Sequence, residues 1–139
     1  MLRRQAREEV LKALYRYEFL EEEPLESVQE REEDYGEQRD FVEGLFLGTI
    51  DRRKEIDEVI DRSVIGWRLE RLAPLDRNIL RMSIFELLFQ EETPPEVVIN
   101  EAIELCKKYG TENSPKFVNG ILDRLWKEES EKTTSGKKE

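Results

Sequence analysis

Apolar residues recur at three- and four-residue steps along most of this chain, a spacing that predicts helices rather than strands. Ala6, Val10, Ala13, Leu14 and Tyr17 form one stripe on a helix from Arg4 to Leu20. Three glutamates and Pro24 end it, and Leu25 to Tyr35 reads as a short, very acidic helix or loop closing at Gly36. Phe41, Leu45, Ile56, Val59 and Ile60 carry the helical period from about Glu37 to Val64. That stretch predicts the longest helix, kinked near Gly48 and closed by Gly66. An apolar turn at Trp67, Leu69 and Leu72 leads to Pro74, which suits the first position of a helix. The residues from Leu75 to Phe89 are apolar on more than one side, so this helix is expected to be central.

Beyond a loop from Glu91 to Pro95, Val97 to Ile99 is expected to be briefly extended, with Asn100 capping a helix that runs to Tyr109. Gly110 is expected to end it in the left-handed conformation. Ser114 and Pro115 read as an N-cap and first-position pair opening a last helix through about Glu129. Ser130 to Glu139 is polar and is expected to be a disordered tail. No stretch alternates at period two for long enough to require a sheet. The expectation is therefore an all-α protein: one domain over residues 1–129, a compact bundle of about seven helices in two interlocked helical halves joined near Gly66, followed by the tail 130–139.

The length of 139 residues fits one core and leaves no room for a second catalytic domain. Leu, Ile, Val and Phe make up about 28% of the chain, above the level at which highly charged chains stay disordered. The absence of histidine removes the usual base of a serine or cysteine nucleophile and any imidazole zinc site. With no phosphate-cradling glycine loop, paired-cysteine ligand set or nucleophile elbow, no enzyme, cofactor or metal is expected. Cys106, the single cysteine, cannot form an internal disulfide and is expected to be an inert packing residue. No apolar run reaches the length of a membrane span or signal-peptide core, so a reducing, cytoplasmic setting is expected. Gly44 and Gly48 make a GxxxG spacing, but Arg39, Asp40, Glu43 and Asp51 flank it, which favours close packing of soluble helices.

A net charge of −10 argues against a nucleic-acid partner, but its distribution argues the other way. Residues 1–17 hold five cations and two acids, whereas residues 18–43 hold twelve acids and two cations. A basic end is thus kept apart from an acidic shoulder. On the first helix, Arg4 and Tyr15 differ by only about 20° in azimuth, so Arg4, Glu8, Leu11 and Tyr15 share one edge with Arg7 on its flank. Tyr15 there is either a base-stacking ring beside phosphate clamps or a half-buried aromatic whose hydroxyl reaches water. The segment Gly110 to Gly120 offers a helix N-terminus, Lys116 as added charge, and Asn113 and Asn119 as groups able to read base edges. Taken alone, the segment is better explained by ordinary capping and packing, with Phe117 either a core anchor or a stacking surface. Asp76 lies in the first turn of the Pro74 helix, where the dipole favours an acid in any case.

Several segments together resemble the NusB family of bacterial transcription antitermination factors. They are Arg3-Arg4-Gln5-Ala6-Arg7-Glu8 leading to Ala13-Leu14-Tyr15, Asp76-Arg77-Asn78-Ile79-Leu80-Arg81 with Phe85-Glu86-Leu87, Ile99-Asn100-Glu101-Ala102-Ile103-Glu104-Leu105, and Lys116-Phe117-Val118-Asn119-Gly120-Ile121-Leu122-Asp123. The resemblance covers residues 3 to about 126. It implies a non-enzymatic, all-helical protein that binds single-stranded boxA RNA of ribosomal RNA transcripts. It also implies pairing with the small-subunit ribosomal protein NusE, and loading of the pair into the RNA polymerase antitermination complex, with a homodimer as the alternative where NusE is absent. Family RNA contacts would fall on Arg3, Arg4, Arg7, Tyr15, Asp76, Asn113, Lys116, Phe117 and Asn119. Gln5 stands where some members are basic, and Asn113 where some are acidic, which lowers local repulsion toward RNA. The acidic segment 18–43 either repels misdirected RNA or attracts a basic protein. Two function classes follow: a sequence-selective RNA binder acting in transcription, or a helical protein-interaction module whose basic end is incidental.

Overall fold

The computed structural model describes residues 1–20, 23–63, 71–90 and 92–137, with side chains through residue 132. The described residues form eight α-helices and no strand: α1 (Arg3–Leu20), α2 (Pro24–Gln29), α3 (Glu32–Tyr35), α4 (Arg39–Asp51), α5 (Arg53–Ser63), α6 (Pro74–Leu88), α7 (Pro95–Tyr109) and α8 (Ser114–Lys137). A 3-10 turn over Gly36–Gln38 leads into α4. The all-α expectation holds. The expected closure at Gly66 and the apolar positions Trp67 and Leu69 lie outside the described residues.

Helix α6 organises the rest, because eleven of its fifteen residues are buried. It packs against α1, α4 and α5 on one side and against α7 and α8 on the other, which interlocks the two halves. The buried stripes of α1 (Ala6, Val10, Leu14) and α7 (Val98, Ala102, Leu105) close over it at three- and four-residue spacing. Gly48 on α4 lets the Phe85 ring in: a Cβ at that position would lie 2.1 Å from the ring. Gly48 of the GxxxG spacing is therefore a helix-packing seat within the bundle, the close-packing role its flanking charges favour.

Several boundaries differ from expectation. The stretch expected as one long helix from Glu37 is broken at Arg52, between α4 and α5, and Gly48 lies within α4. Residues 51–55 are all charged, so no buried stripe holds that turn in line, and Arg52 leaves helical geometry at φ −98°, ψ 9°. The longest helix is α8, which continues beyond Glu129 through the segment expected as a disordered tail, as far as Lys137. Val97 to Ile99 is helical and Asn100 is interior to α7, because Pro95 supplies the preformed first position and Glu96 the first-turn acid. Gly110 is extended, at φ −93°, ψ −169°, not left-handed. Glycine is needed there for close approach: a Cβ would lie 2.7 Å from the Ser114 side chain and 2.8 Å from the Cys106 carbonyl oxygen.

Candidate nucleic-acid interface

The first helix distributes its three N-terminal arginines to three different environments. Arg3 is exposed, with its guanidinium 3.9 Å above the Phe41 ring. Arg4 is also exposed and makes two 3.0 Å hydrogen bonds to the Glu101 carboxylate on α7, which raise its pKa. Arg7 corrects the sequence-based expectation. It is 4% exposed and donates through Nε and Nη2 to both oxygens of Glu86, at 3.0 and 2.5 Å, in the interior between α1 and α6. Its spacing explains this, since Arg7 precedes Val10 by three residues and Leu14 by seven, inside the buried stripe. A guanidinium engaged in this way presents no face to a phosphate.

Farther along α1, about 16 Å from Arg4 at 1.5 Å per residue, Tyr15 is 41% exposed and contacts Phe19 with ring centroids 4.8 Å apart. Tyr15 forms one wall of a depression of about 260 Å³ whose other sides include Pro74, Asp76, Tyr109 and Thr111. A second depression, of about 310 Å³, is lined by Arg71, Asp76, Asn113, Ser114 and Phe117. Asp76 and Thr111 belong to both, so the two adjoin. Tyr15, Asp76 and the pair Asn113 and Phe117, from three separated stretches of the sequence, thus share one surface. Lys116 and Asn119 are exposed on the first turns of α8, outside both depressions. Phe117 is half-buried and packs against the core while lining the second depression, so anchoring and lining coexist in one ring.

A hydroxyl chain fixes the point shared by the depressions. The Ser114 hydroxyl donates to Asp76 Oδ2 at 2.9 Å and accepts from the Thr111 backbone N–H at 2.9 Å. Ser114 is the first helical residue of α8, and the Asn113 carbonyl accepts the first helical bond from Phe117. The expected N-cap is therefore shifted by one residue. Asp76 is 8% exposed and its Oδ1 has no hydrogen-bond partner among the described residues. Burial, then the charge of Asp76, pushes the Cys106 thiol up to about 12, so it stays protonated and inert at neutral pH.

Sequence reasoning missed Arg71 and Tyr109, which line the depressions. Tyr109 had a signal in its position just before Gly110, and the Lys108 ammonium lies 5.6 Å from its ring centroid. The strongest unanticipated feature is structural. Arg77 and Asn78 turn away from the depressions toward Glu18 on α1, which accepts from Arg77 Nε at 2.6 Å, Asn78 Nδ2 at 2.7 Å and Arg81 Nη1 at 3.3 Å. Arg81 reaches on to Asp57 at 2.9 and 3.2 Å. Burial pulls the Glu18 carboxyl pKa up, but the hydrogen bonds and charges of these neighbours outweigh it and hold the group below its ordinary value. Among the described residues no cluster of His, Cys, Asp or Glu could hold a metal ion, and no helix is long and apolar enough to cross a membrane.

The sequence and fold also match characterised proteins. Residues 4–127 match the NusB family. The transcription antitermination protein NusB of Thermodesulfovibrio yellowstonii is 43% identical, with 93% of this chain and 94% of that protein aligned. That of Bacillus licheniformis is 42% identical, covering 90% and 96%. The solved structure of T. maritima NusB superposes with a TM-score of 0.84 at 45% identity, covering 92% of each chain. A chain in a crystal structure of the antitermination factors NusB and NusE with double-stranded RNA superposes with a TM-score of 0.80 at 30% identity, covering 91% and 98%.

Proposed function

The chain belongs to the NusB family, whose members are transcription antitermination proteins and not enzymes, and we propose that it binds single-stranded boxA RNA of ribosomal transcripts together with NusE, within the RNA polymerase antitermination complex. The observation that carries this reading is the convergence of Tyr15, Asp76, Asn113 and Phe117 on two adjoining depressions at the junction of α1, α6 and α8. Exposed ring surface from Tyr15 and the edge of Phe117 suit stacking of unpaired bases. Arg3 and Arg4, near the start of α1 about 16 Å from Tyr15, and Lys116 on α8 are exposed cations that suit phosphates along an extended RNA strand. Asn113 and Asn119 add uncharged donors and acceptors near the start of α8, where the positive end of the helix dipole favours an anion. Arg71 joins this set, and Arg7 leaves it.

The division of labour follows from the chemistry. Phosphate contacts set register and give salt dependence, and the depressions select which bases seat well. A titration of boxA RNA and a shuffled RNA of equal length across salt concentrations tests the reading. The expected result is a linear fall of log affinity with log salt for both RNAs and tighter binding of boxA throughout. Equal binding of the two RNAs would leave only a non-selective cationic surface. Binding of NusE without any RNA binding would favour the helical protein-interaction module.

A further inference from the structure

A groove of about 340 Å³ between α1 and α7 is lined by six charged side chains, Arg4, Glu8, Glu101, Glu104, Lys107 and Lys108. Each cation in it is paired: Arg4 with Glu101 at 3.0 Å, Lys108 with Glu8 at 2.7 Å and Lys107 with Glu104 at 3.3 Å. The first two pairs bridge the helices and are layered. The Arg4 and Lys108 side chains are each 60% exposed, whereas those of Glu101 and Glu8 are 15% and 17% exposed, so the acids are recessed beneath cations that stand at the rim. Hydrogen bonding to these carboxylates raises the pKa of Arg4 and of Lys108, so both cations stay charged. One end of the groove, at Lys108, adjoins Tyr109, a wall of the depression that holds Tyr15, and the Lys108 ammonium lies 5.6 Å from the Tyr109 ring centroid. Its other end is Arg4, one turn of α1 before Glu8. The groove thus continues the proposed RNA surface from the stacking rings to the N-terminal arginines, along a track whose three acids cancel its three cations.

We propose that Glu8 and Glu101 are internal competitors of RNA phosphate: in the free protein they occupy Lys108 and Arg4, and a bound RNA exchanges its phosphates for these carboxylates at the rim of the groove. The inference rests on the RNA binding proposed above and gives that surface its regulation. Ion pairs with an exposed member are weak, so a phosphate can displace the carboxylate. Arg4 engages Glu101 through Nε and Nη2, which leaves Nη1 as the point of first contact for the incoming group. The exchange is opposed by repulsion as well as by the lost pairs. Each carboxylate left behind lies beneath the bound phosphate, and its recessed position limits the water that screens it. This penalty is the same for every RNA sequence. Binding that rests on phosphates alone is therefore weakened first, and an RNA whose bases also seat in the depressions keeps its hold.

The test is titration of boxA RNA and of a shuffled RNA, with no protein partner present, onto the wild-type chain, the Glu8→Gln/Glu101→Gln variant and a Glu26→Gln/Glu30→Gln control. Melting temperature is measured on the same samples. Glutamine keeps the size and an acceptor oxygen for the cation and removes only the charge. The groove variant is expected to bind both RNAs about tenfold more tightly at low salt, with the gain shrinking to within about twofold at high salt. The single variants Glu8→Gln and Glu101→Gln, measured alongside, are each expected to gain about threefold. The control removes the same charge from exposed positions on α2 and is expected to stay within about twofold of the wild type throughout. Unchanged or weaker RNA binding by the folded groove variants would overturn the competition, assigning both acids to holding their cations in place, and would leave RNA binding itself intact. An equal gain in the control would overturn it too, because net charge alone would then account for the effect. A wild-type chain that binds neither RNA would overturn the proposed function and this inference together.

Discussion

The seam between α1 and α6 and the surface where these two helices meet α8 use the same residue types to opposite ends. At the seam, Arg7 and Glu86 satisfy each other in a bidentate pair whose side chains are about 5% and 3% exposed, and Glu18 gathers Arg77, Asn78 and Arg81. At the surface, Asp76 accepts one hydrogen bond and keeps one oxygen unpartnered among the described residues, while Asn113, Lys116 and Asn119 are exposed. Polar groups consumed by folding have their capacity filled from within the chain. Those available to a ligand keep residual capacity, and this difference separates structural from binding charge more reliably than residue type.

The most severe way to break the seam is Glu86→Ala, which leaves the Arg7 guanidinium buried without its partner. A loss of about 3–5 kcal/mol is expected in denaturant unfolding, with RNA affinity per folded molecule unchanged. A loss below about 1 kcal/mol would mean that water or another group reaches Arg7. On the surface the pattern reverses. Tyr15→Ala should weaken boxA binding by about 1–3 kcal/mol, the range for one base-aromatic stack, with a smaller effect on melting. Lowered stability with unchanged RNA affinity would move Tyr15 to the structural side.

The paired substitution Arg3→Gln/Arg4→Gln sharpens the division between positioning and selection. It should weaken boxA and shuffled RNA alike and flatten the salt slope by up to about 1.4, two phosphates at roughly 0.7 each. An unchanged slope would show that Glu101 and Phe41 hold these arginines away from RNA. The smallest expected effect is that of Asn113→Asp, which places an anion beside the start of α8. RNA affinity should fall a few-fold at low salt, and melting should hold or rise slightly, because an acid suits that helix end. Tighter RNA binding by this variant would remove residue 113 from the surface.

The apolar periodicity showed the stripe of α1 and the burial of α6, and Pro74 marked the start of α6, whereas Pro24, read as the end of the first helix, opens α2. Local signals failed where a three-dimensional partner decided the outcome. Arg7 looks like its exposed neighbours Arg3 and Arg4 by type, and only its phase with Val10 and Leu14 places it inward, toward an acid 79 residues away. Asn100 has the chemistry of a cap, but Pro95 starts the helix five residues earlier. Gly110 reads as a left-handed stop, whereas its constraint is the Ser114 side chain pressed against it. For the surface, the sequence motifs named Tyr15, Asp76, Asn113 and Phe117, and the fold brings those four together. Arg71 escaped because nothing local connects it to residues that become neighbours only through α6 and α8, and Tyr109, although it adjoins Gly110, reads locally as a helix end.

The two clamps on α1, Arg7 with Glu86 and Glu18 with Arg77, Asn78 and Arg81, are eleven residues apart, about 16 Å along the helix axis. Both lie largely out of reach of dissolved ions. On the proposed RNA surface, raising ionic strength should weaken phosphate contacts at Arg3, Arg4 and Lys116 without loosening the mount that sets Tyr15 against Asp76. The helix works as a ruler whose graduations do not shift with the buffer, so a salt titration of this protein reports the RNA contacts themselves and not a changing receptor.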